Sequence, residues 1–215
     1  AALSVMVTDN ISIYLNANGG VSKNTYLDMY KESRYIRPNT IVKHSYSPFD
    51  ITAGTKIGAI DGFRIDIFGG YKKTDDEHFL VLQPDTAGNG SSLGSPMYYE
   101  FLYPVYGNLS HSHIGGRIHS NIWSPLDVTL EVRKNFYTVD KVKGVELLPT
   151  ELKAWNKPGF EADIQATYTA TNQLKVMLGY YFANERWTIA NGQNIEMNNI
   201  NNLNAGAIYN ISSMF

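Results

Sequence analysis

The chain has 215 residues, with 18 Lys and Arg against 20 Asp and Glu and a formal net charge of -2; one domain accommodates that length, and the basic excess of a nucleic-acid binder is missing. Only 18% of residues are charged, and 20 asparagines and 15 tyrosines supply much of the polarity instead. Cysteine is absent, which excludes disulfide frameworks, thiolate metal sites and thiol nucleophiles, while no apolar run approaches the ~18 residues of a spanning helix and the N-terminus lacks the basic-then-apolar order of a signal peptide.

Two-residue alternation, the signature of a strand with two unlike faces, recurs along nearly the whole chain. It begins at 11–22, where Ile13, Leu15 and Ala17 oppose Tyr14, Asn16 and Asn18. Residues 51–60 set Ile51, Ala53, Ile57 and Ala59 against Thr52, Gly54, Lys56 and Gly58; after Asp61-Gly62 come Phe63, Ile65, Ile67 and Tyr71 against Arg64, Asp66 and Lys72. Asp-Gly is a strong hairpin signal. From 113 to 123, His113, Gly115, Arg117, His119 and Asn121 oppose Ile114, Gly116, Ile118, Ser120 and Ile122. The turn Ser124-Pro125-Leu126-Asp127 leads to Val128, Leu130 and Val132 against Thr129, Glu131 and Arg133.

Phe160, Ala162, Ile164, Ala166 and Tyr168 then oppose Glu161, Asp163, Gln165 and Thr167. Past Thr171-Asn172, Leu174, Val176, Leu178, Tyr180 and Phe182 oppose Lys175, Met177, Gly179 and Tyr181, and 203–211 is a last strand. Eight antiparallel strands are expected, with short turns near 61, 125 and 171 and long connections at about 23–50, 73–106, 138–158 and 185–200. The long segments hold the turn formers, among them residues 85–92, Arg37-Pro38-Asn39 and Asn191-Gly192. Short turns on one side and long loops on the other are the form of an outer-membrane barrel.

Alternation alone also fits a soluble sheet with one buried face. The polar face argues for the barrel: Lys56, Arg64, Asp66, His113, Arg117, His119, Glu131, Arg133, Glu161, Asp163 and Lys175 lie mid-strand with both signs present, as the wall of an aqueous lumen does. Lys56, Arg64, Arg117, Arg133 and Lys175 are then balanced by Asp66, Glu131, Glu161 and Asp163. Aromatic residues gather near strand ends, as with Phe63, Tyr71, Phe136, Tyr137, Phe160, Tyr168, Tyr180, Phe182 and Tyr209, in the manner of interfacial girdles. The expected fold is therefore all-β, an antiparallel up-and-down transmembrane β-barrel or a large segment of one.

The runs Ala154 to Asp163 (AWNKPGFEAD), Leu174 to Phe182 (LKVMLGYYF) and Asn201 to Asn210 (NNLNAGAIYN) resemble the C-terminal barrel region of TonB-dependent-receptor-like outer-membrane proteins. The resemblance covers residues 150–215, and the remainder only by architecture. It implies an outer-membrane barrel for solute uptake or passage, in a receptor-like or porin-like manner; separately, the sequence carries no nucleophile elbow, phosphate loop, dinucleotide fingerprint or zinc-protease motif, so neither catalysis nor a cofactor is expected. The implied partners are outer-membrane lipid and other outer-membrane or periplasmic proteins, not nucleic acid. No plug domain is visible upstream, and a stretch like Leu203–Ser213 is usually followed by further strands in such proteins, so the single barrel domain 1–215 is expected to be an excerpt. Alternatively, Phe215 is the terminal aromatic of a complete eight-stranded barrel, a pattern that Ser213 fits poorly.

The segments with chemical potential have plainer readings beside them. His111 and His113, with His119 in the same row, could begin a metal site, but ordinary polar wall residues are the simpler account. Glu161 and Asp163 sit two apart on one face, roughly 6–7 Å between Cα atoms, as paired carboxylates do in glycosidic hydrolysis; balance by Lys175, Arg133 and Lys56 across neighbouring strands is the simpler account. The acidic run Thr74 to His78 lacks the ordered spacing of a calcium loop and reads as a solvated loop. Tyr98, Tyr99, Tyr103, Tyr106, Trp155 and Trp187 in the long connections suit stacking on sugars or peptides, or membrane girdles. A soluble all-β ligand-binding module, of the carbohydrate-binding kind, is the alternative to the barrel; packing of Ile114, Ile118 and Ile122 against a second sheet of the chain would favour it.

Overall fold

The computed structural model describes residues 1–38, 40–60, 62–82, 101–145, 148–190 and 192–210. Its main body is one antiparallel sheet of nine strands: β1 (Ala2–Thr8), β2 (Ile11–Ser22), β3 (Ser45–Ile60), β4 (Phe63–Leu82), β5 (Leu102–Ser120), β6 (Leu126–Lys143), β7 (Phe160–Thr169), β8 (Leu174–Asn184) and β11 (Ile200–Tyr209). Each strand pairs with its neighbours in this order, and the described sheet is open, with β1 and β11 at its edges. A two-stranded ribbon of β9 (Trp187–Ala190) and β10 (Gln193–Glu196) is inserted between β8 and β11, and one short helix, α1 (Tyr26–Glu32), lies between β2 and β3. The architecture is an up-and-down barrel segment.

Four short turns join β1 to β2, β3 to β4, β5 to β6 and β7 to β8, so they alternate with the long connections and share one end of the sheet. They touch one another there: Asn121 N–H donates to Gly62 O at 2.9 Å and Thr169 N–H to Pro125 O at 2.7 Å. Gly62 takes a φ of +83°, which the tight β3–β4 turn requires and a Cβ would resist.

Three sequence expectations are corrected. Nine strands replace eight, because β1 carries its own alternation in Leu3, Val5 and Val7. The long connections shrink, since β4 runs on to Leu82, β5 starts at Leu102, β6 reaches Lys143 and the last connection holds β9 and β10. The acidic run Thr74 to His78 belongs to β4 rather than to a loop; a bulge between Thr74 and Glu77, with Asp76 at a φ of +52°, absorbs the one residue that breaks its pattern. Residues 85–92, Tyr98, Tyr99, Ser213 and Phe215 lie outside the described residues, as do Asp61, Asn39 and Asn191 of the expected turns.

Register turns the alternation into two faces. One row across the sheet joins Ile11, Ile57, Ile65, Ile118, Leu130, Ile164, Tyr180 and Leu203. On this apolar face Ile114 is 57% exposed, Ile118 36%, Ile122 68% and Leu203 68%. The three isoleucines whose burial under a second sheet would favour the soluble module are open instead. Aromatic residues bound the apolar face at both ends, with Tyr168 and Trp123 in contact at 5.8 Å between rings near the short turns, and Tyr71 and Phe136 toward the long connections. Leu126 to Phe136 is ten residue-to-residue steps, or roughly 33 Å of strand, which at the usual ~40° tilt spans about the ~25 Å of an apolar membrane band.

The polar face is lined by glycines that carry rings. Tyr14, Gly54, Phe68, Gly115 and Arg133 form one row. A Cβ at Gly54 would sit 2.5 Å from the Tyr14 hydroxyl oxygen, and one at Gly115 would sit 2.8 Å from the Phe68 ring. Each ring therefore occupies the space that a side chain at the neighbouring glycine would take, and the Arg133 guanidinium stands 5.6 Å from the Phe68 ring centre, a cation–π geometry.

Among the described residues the two clusters of buried hydrophobics lie at the long-connection end, where β4, β5 and β6 extend beyond the other strands. Phe79, Val81, Val105, Leu109 and Val139 pack with Ala154, Trp155 and Ile189. Leu80 and Tyr106 pack with Met29 of α1 and Ile36. Thr25 caps α1 by accepting from Asp28 N–H while its own N–H donates to the Asp28 carboxylate at 3.1 Å, a capping box.

Candidate functional site

The polar face carries a row of charge fixed by register: Lys56, Asp66, Arg117, Glu131 and Asp163 stand side by side on five successive strands. Alternating sign across paired strands is favourable, and the structure uses it selectively. Glu131 takes Arg117 through Nε at 2.8 Å and Nη2 at 2.5 Å, and Arg133 through Nη2 at 2.8 Å. Asp66 accepts instead from the Tyr14 hydroxyl at 3.1 Å, with Lys56 Nζ 4.9 Å from the Tyr14 ring centre. His119, opposite Arg64, meets Thr129 at 3.2 Å and Asp127 at 3.4 Å. Lys175 stands apart, opposite Thr169 near the short turns.

Toward the long connections the row gives way to a network around a cavity of about 660 Å³. His111 stacks on Tyr137 with ring centres 4.7 Å apart, and its Nε2 lies 3.0 Å from Asn135 Oδ1. Asn135 Nδ2 donates to Glu161 at 2.9 Å and to Pro158 O at 3.0 Å, and Tyr181 donates to the other Glu161 oxygen at 2.8 Å. His113, 5.2 Å from His111 between ring centres, keeps a buried Nδ1 without a partner. Among the described residues no three His, Asp or Glu side chains gather as metal ligands.

Glu161 is thus held by neutral donors. Arg133 faces it by register, but the guanidinium reaches Glu131 instead, so the expected balance of Glu161 by Arg133 does not form.

The segment 150–159 covers this end of the polar face. Tyr137 donates to Pro158 O at 3.1 Å, Lys157 pairs with Glu77 at 2.8 Å, and Asn156 Nδ2 donates to Leu80 O. Asn156 adopts a φ of +63°, a conformation asparagine tolerates better than most residues, which turns its side chain between Leu80 and Arg186. Trp155, fully buried, meets the Phe79 ring edge-on at 6.1 Å and donates from Nε1 to Asn194 of the ribbon at 2.9 Å. Glu32 of α1 meets His78 at 2.8 Å. Burial raises the Glu32 carboxyl, but the His78 bond and charge, with Lys157 and Arg186, outweigh it and hold the group below its ordinary value.

The sequence reading placed Glu161, Arg133 and His111 here and missed Asn135, Tyr137, Tyr181, Lys157 and Arg186. Asn135 and Tyr137 simply continue the alternation of Glu131 and Arg133 by two more steps. Arg186 follows a strand end and carries no periodic signal.

No family model and no curated protein matches the chain. Solved structures do. The copper transporter OprC superposes with a TM-score of 0.57 at 9% identity, over 99% of this chain and 31% of its own. The ferric-catecholate import receptor Fiu from E. coli K12 gives 0.52 at 15%, over 96% and 27%. The ferric enterobactin receptor PfeA from Pseudomonas aeruginosa gives 0.54 at 11%, over 99% and 32%. The chain spans about a third of the length of these proteins. Likeness at such identity carries the fold alone, that of a stretch of antiparallel β-barrel.

Proposed function

We propose that the chain forms part of an outer-membrane barrel for solute uptake, its apolar face toward lipid and its polar face toward the solute path. The observation that carries the reading is the pairing of an exposed apolar face with a polar one that carries charge on β3 to β8, bounded at both ends by aromatic rings. Lys56, Arg64, Asp66, His113, Arg117, His119, Glu131, Arg133, Glu161, Asp163 and Lys175 then line the path, and the cavity under segment 150–159 receives the solute. Neither a catalytic step nor a resident cofactor is part of the proposal.

Tryptophan position tests it. Trp123 is 60% exposed beside Tyr168 of the apolar face, whereas Trp155 is fully buried and Trp187 half-buried. In vesicles of lipids brominated near the headgroup, fluorescence is expected to be quenched, and Trp123→Phe is expected to remove most of that quenching. Unchanged quenching in this variant, or none in the parent, overturns the lipid assignment.

Lys134 is the exception that the same reading must accommodate. It stands on the apolar face opposite Ile114 and Phe160, and it is neutralised by Glu185 at 2.6 Å. Glu185→Gln is expected to lower stability by about 1 kcal/mol, the cost of a bare cation near the membrane interface. Adding Lys134→Met should restore the thermal midpoint, and failure of that rescue would place the pair in water.

A further inference from the structure

Four Lys and Arg side chains line the cavity, and three are answered by acids: Lys157 by Glu77 at 2.8 Å, Arg133 by Glu131 at 2.8 Å, and Lys72 by Asp50 at 3.9 Å. Arg186 is not. Its guanidinium has Asn156 Oδ1, 3.3 Å from Nη2, and feels the Glu32 carboxylate at longer range, but no carboxylate among the described residues lies within ion-pair distance. Burial pushes this group below its ordinary value. The acids divide the same way: Glu77 is held by Lys157 and Glu32 by His78, but Glu161 accepts only from the neutral Asn135 and Tyr181. Tyr181 lines the cavity with both unanswered groups.

A half-buried charge without a counterion is costly. The other Lys, Arg and Glu side chains that line this cavity are paired, so two groups of opposite sign without an ion pair in the same cavity are complementary to a solute that brings both partners. A guanidinium fits a carboxylate with two parallel hydrogen bonds, and a carboxylate already fixed by two donors retains lone pairs for an ammonium.

We infer that the cavity takes a zwitterionic solute, a short peptide with free ends, whose carboxylate meets Arg186 and whose ammonium meets Glu161. The inference rests on the uptake reading above. A volume of about 660 Å³ lies within the usual ~300–1,000 Å³ of small-ligand sites, which suits a few residues and excludes a folded protein. Tyr137 and Asn156 offer further polar atoms to backbone amides, and Met197 and Ile200 offer apolar contact for side chains.

The test uses the whole chain in detergent micelles, with Trp187, the residue after Arg186, as the fluorescent reporter. The probes are tetraalanine with free ends, its N-acetyl form, its C-terminal amide and the doubly blocked peptide. Free tetraalanine is expected to saturate the signal and each block to weaken binding at least tenfold. In Arg186→Gln the penalty for amidation disappears while that for acetylation stays; in Glu161→Gln the reverse holds, and Arg186→Lys keeps part of the amide discrimination. Equal binding of all four peptides by the unaltered chain overturns the inference without need of any variant, as does absence of binding at millimolar concentration. Trp123 quenching by brominated lipid is independent of peptide, so it separates this failure from failure of the barrel reading.

Discussion

Arginine at Ile65, Leu130 or Ile164 is expected to abolish membrane assembly, and arginine at Thr129, Gln165 or Thr167 to leave it intact. The first three stand in one row on the apolar face, with Ile118 between Ile65 and Leu130. A cation there faces the middle of the apolar band and costs about 2–4 kcal/mol, a large share of the net stability of a folded domain. Thr129 and Gln165 are cross-strand partners on the opposite face, and Thr167 follows two residues on; a cation there joins Lys56, Arg117 and Arg133 in water and should shift conductance toward anions. Heat-modifiable migration after folding into lipid vesicles reads the outcome. If both sets assemble, or neither does, the two faces have been assigned wrongly.

Trp155→Ala is expected to release the cover of the polar face while the spanning strands hold. Trp155 fills the middle of a core made by the extended ends of β4, β5 and β6 with the ribbon, and its Nε1 bond to Asn194 joins two connections that share no strand. Emptying that volume costs about 3–5 kcal/mol. Hydrogen exchange should rise across residues 150–159 and 187–196, with β7 and β8 protected as before. Trp155→Phe should recover the packing but not the bond, and so fall between. A uniform rise in exchange through β7 and β8 would show that cover and sheet are one cooperative unit.

The sheet was legible because a period of two survives wherever each face meets one environment throughout. From Ile11 to Tyr209 the apolar positions marked as such are the ones the register aligns, and the charged positions fall together on the other side. Legibility failed where environment changed along a strand. Beyond Thr74 and Ser110, β4 and β5 leave the apolar band and their faces become core, so Phe79, Leu80 and Val81 are all buried and the alternation vanishes. The candidate site was half legible for the same reason: Glu161 and Arg133 sit within the pattern, whereas Arg186, Lys157 and Asn156 owe their places to connections whose course is set by Trp155 and by a bulge at Asp76. Charge balance misled in one respect, because proximity by register did not decide which acid Arg133 would take.

The strand order has a consequence for how the chain acquires its structure. Every pairing from β1 to β8 joins sequence neighbours, four of them across short turns and three across connections of 22, 19 and 16 residues, so closure entropy, which grows only slowly with loop length, is spent one strand at a time. Only β8 and β11 must find each other across an intervening ribbon. That ribbon hydrogen-bonds to itself over four successive pairs, which draws Trp187 and Glu196 opposite one another and brings Ile200 back beside Ala183. The excursion thus spends its 15 residues on a ribbon paired with itself, and the chain leaves it where β11 can take its place beside β8.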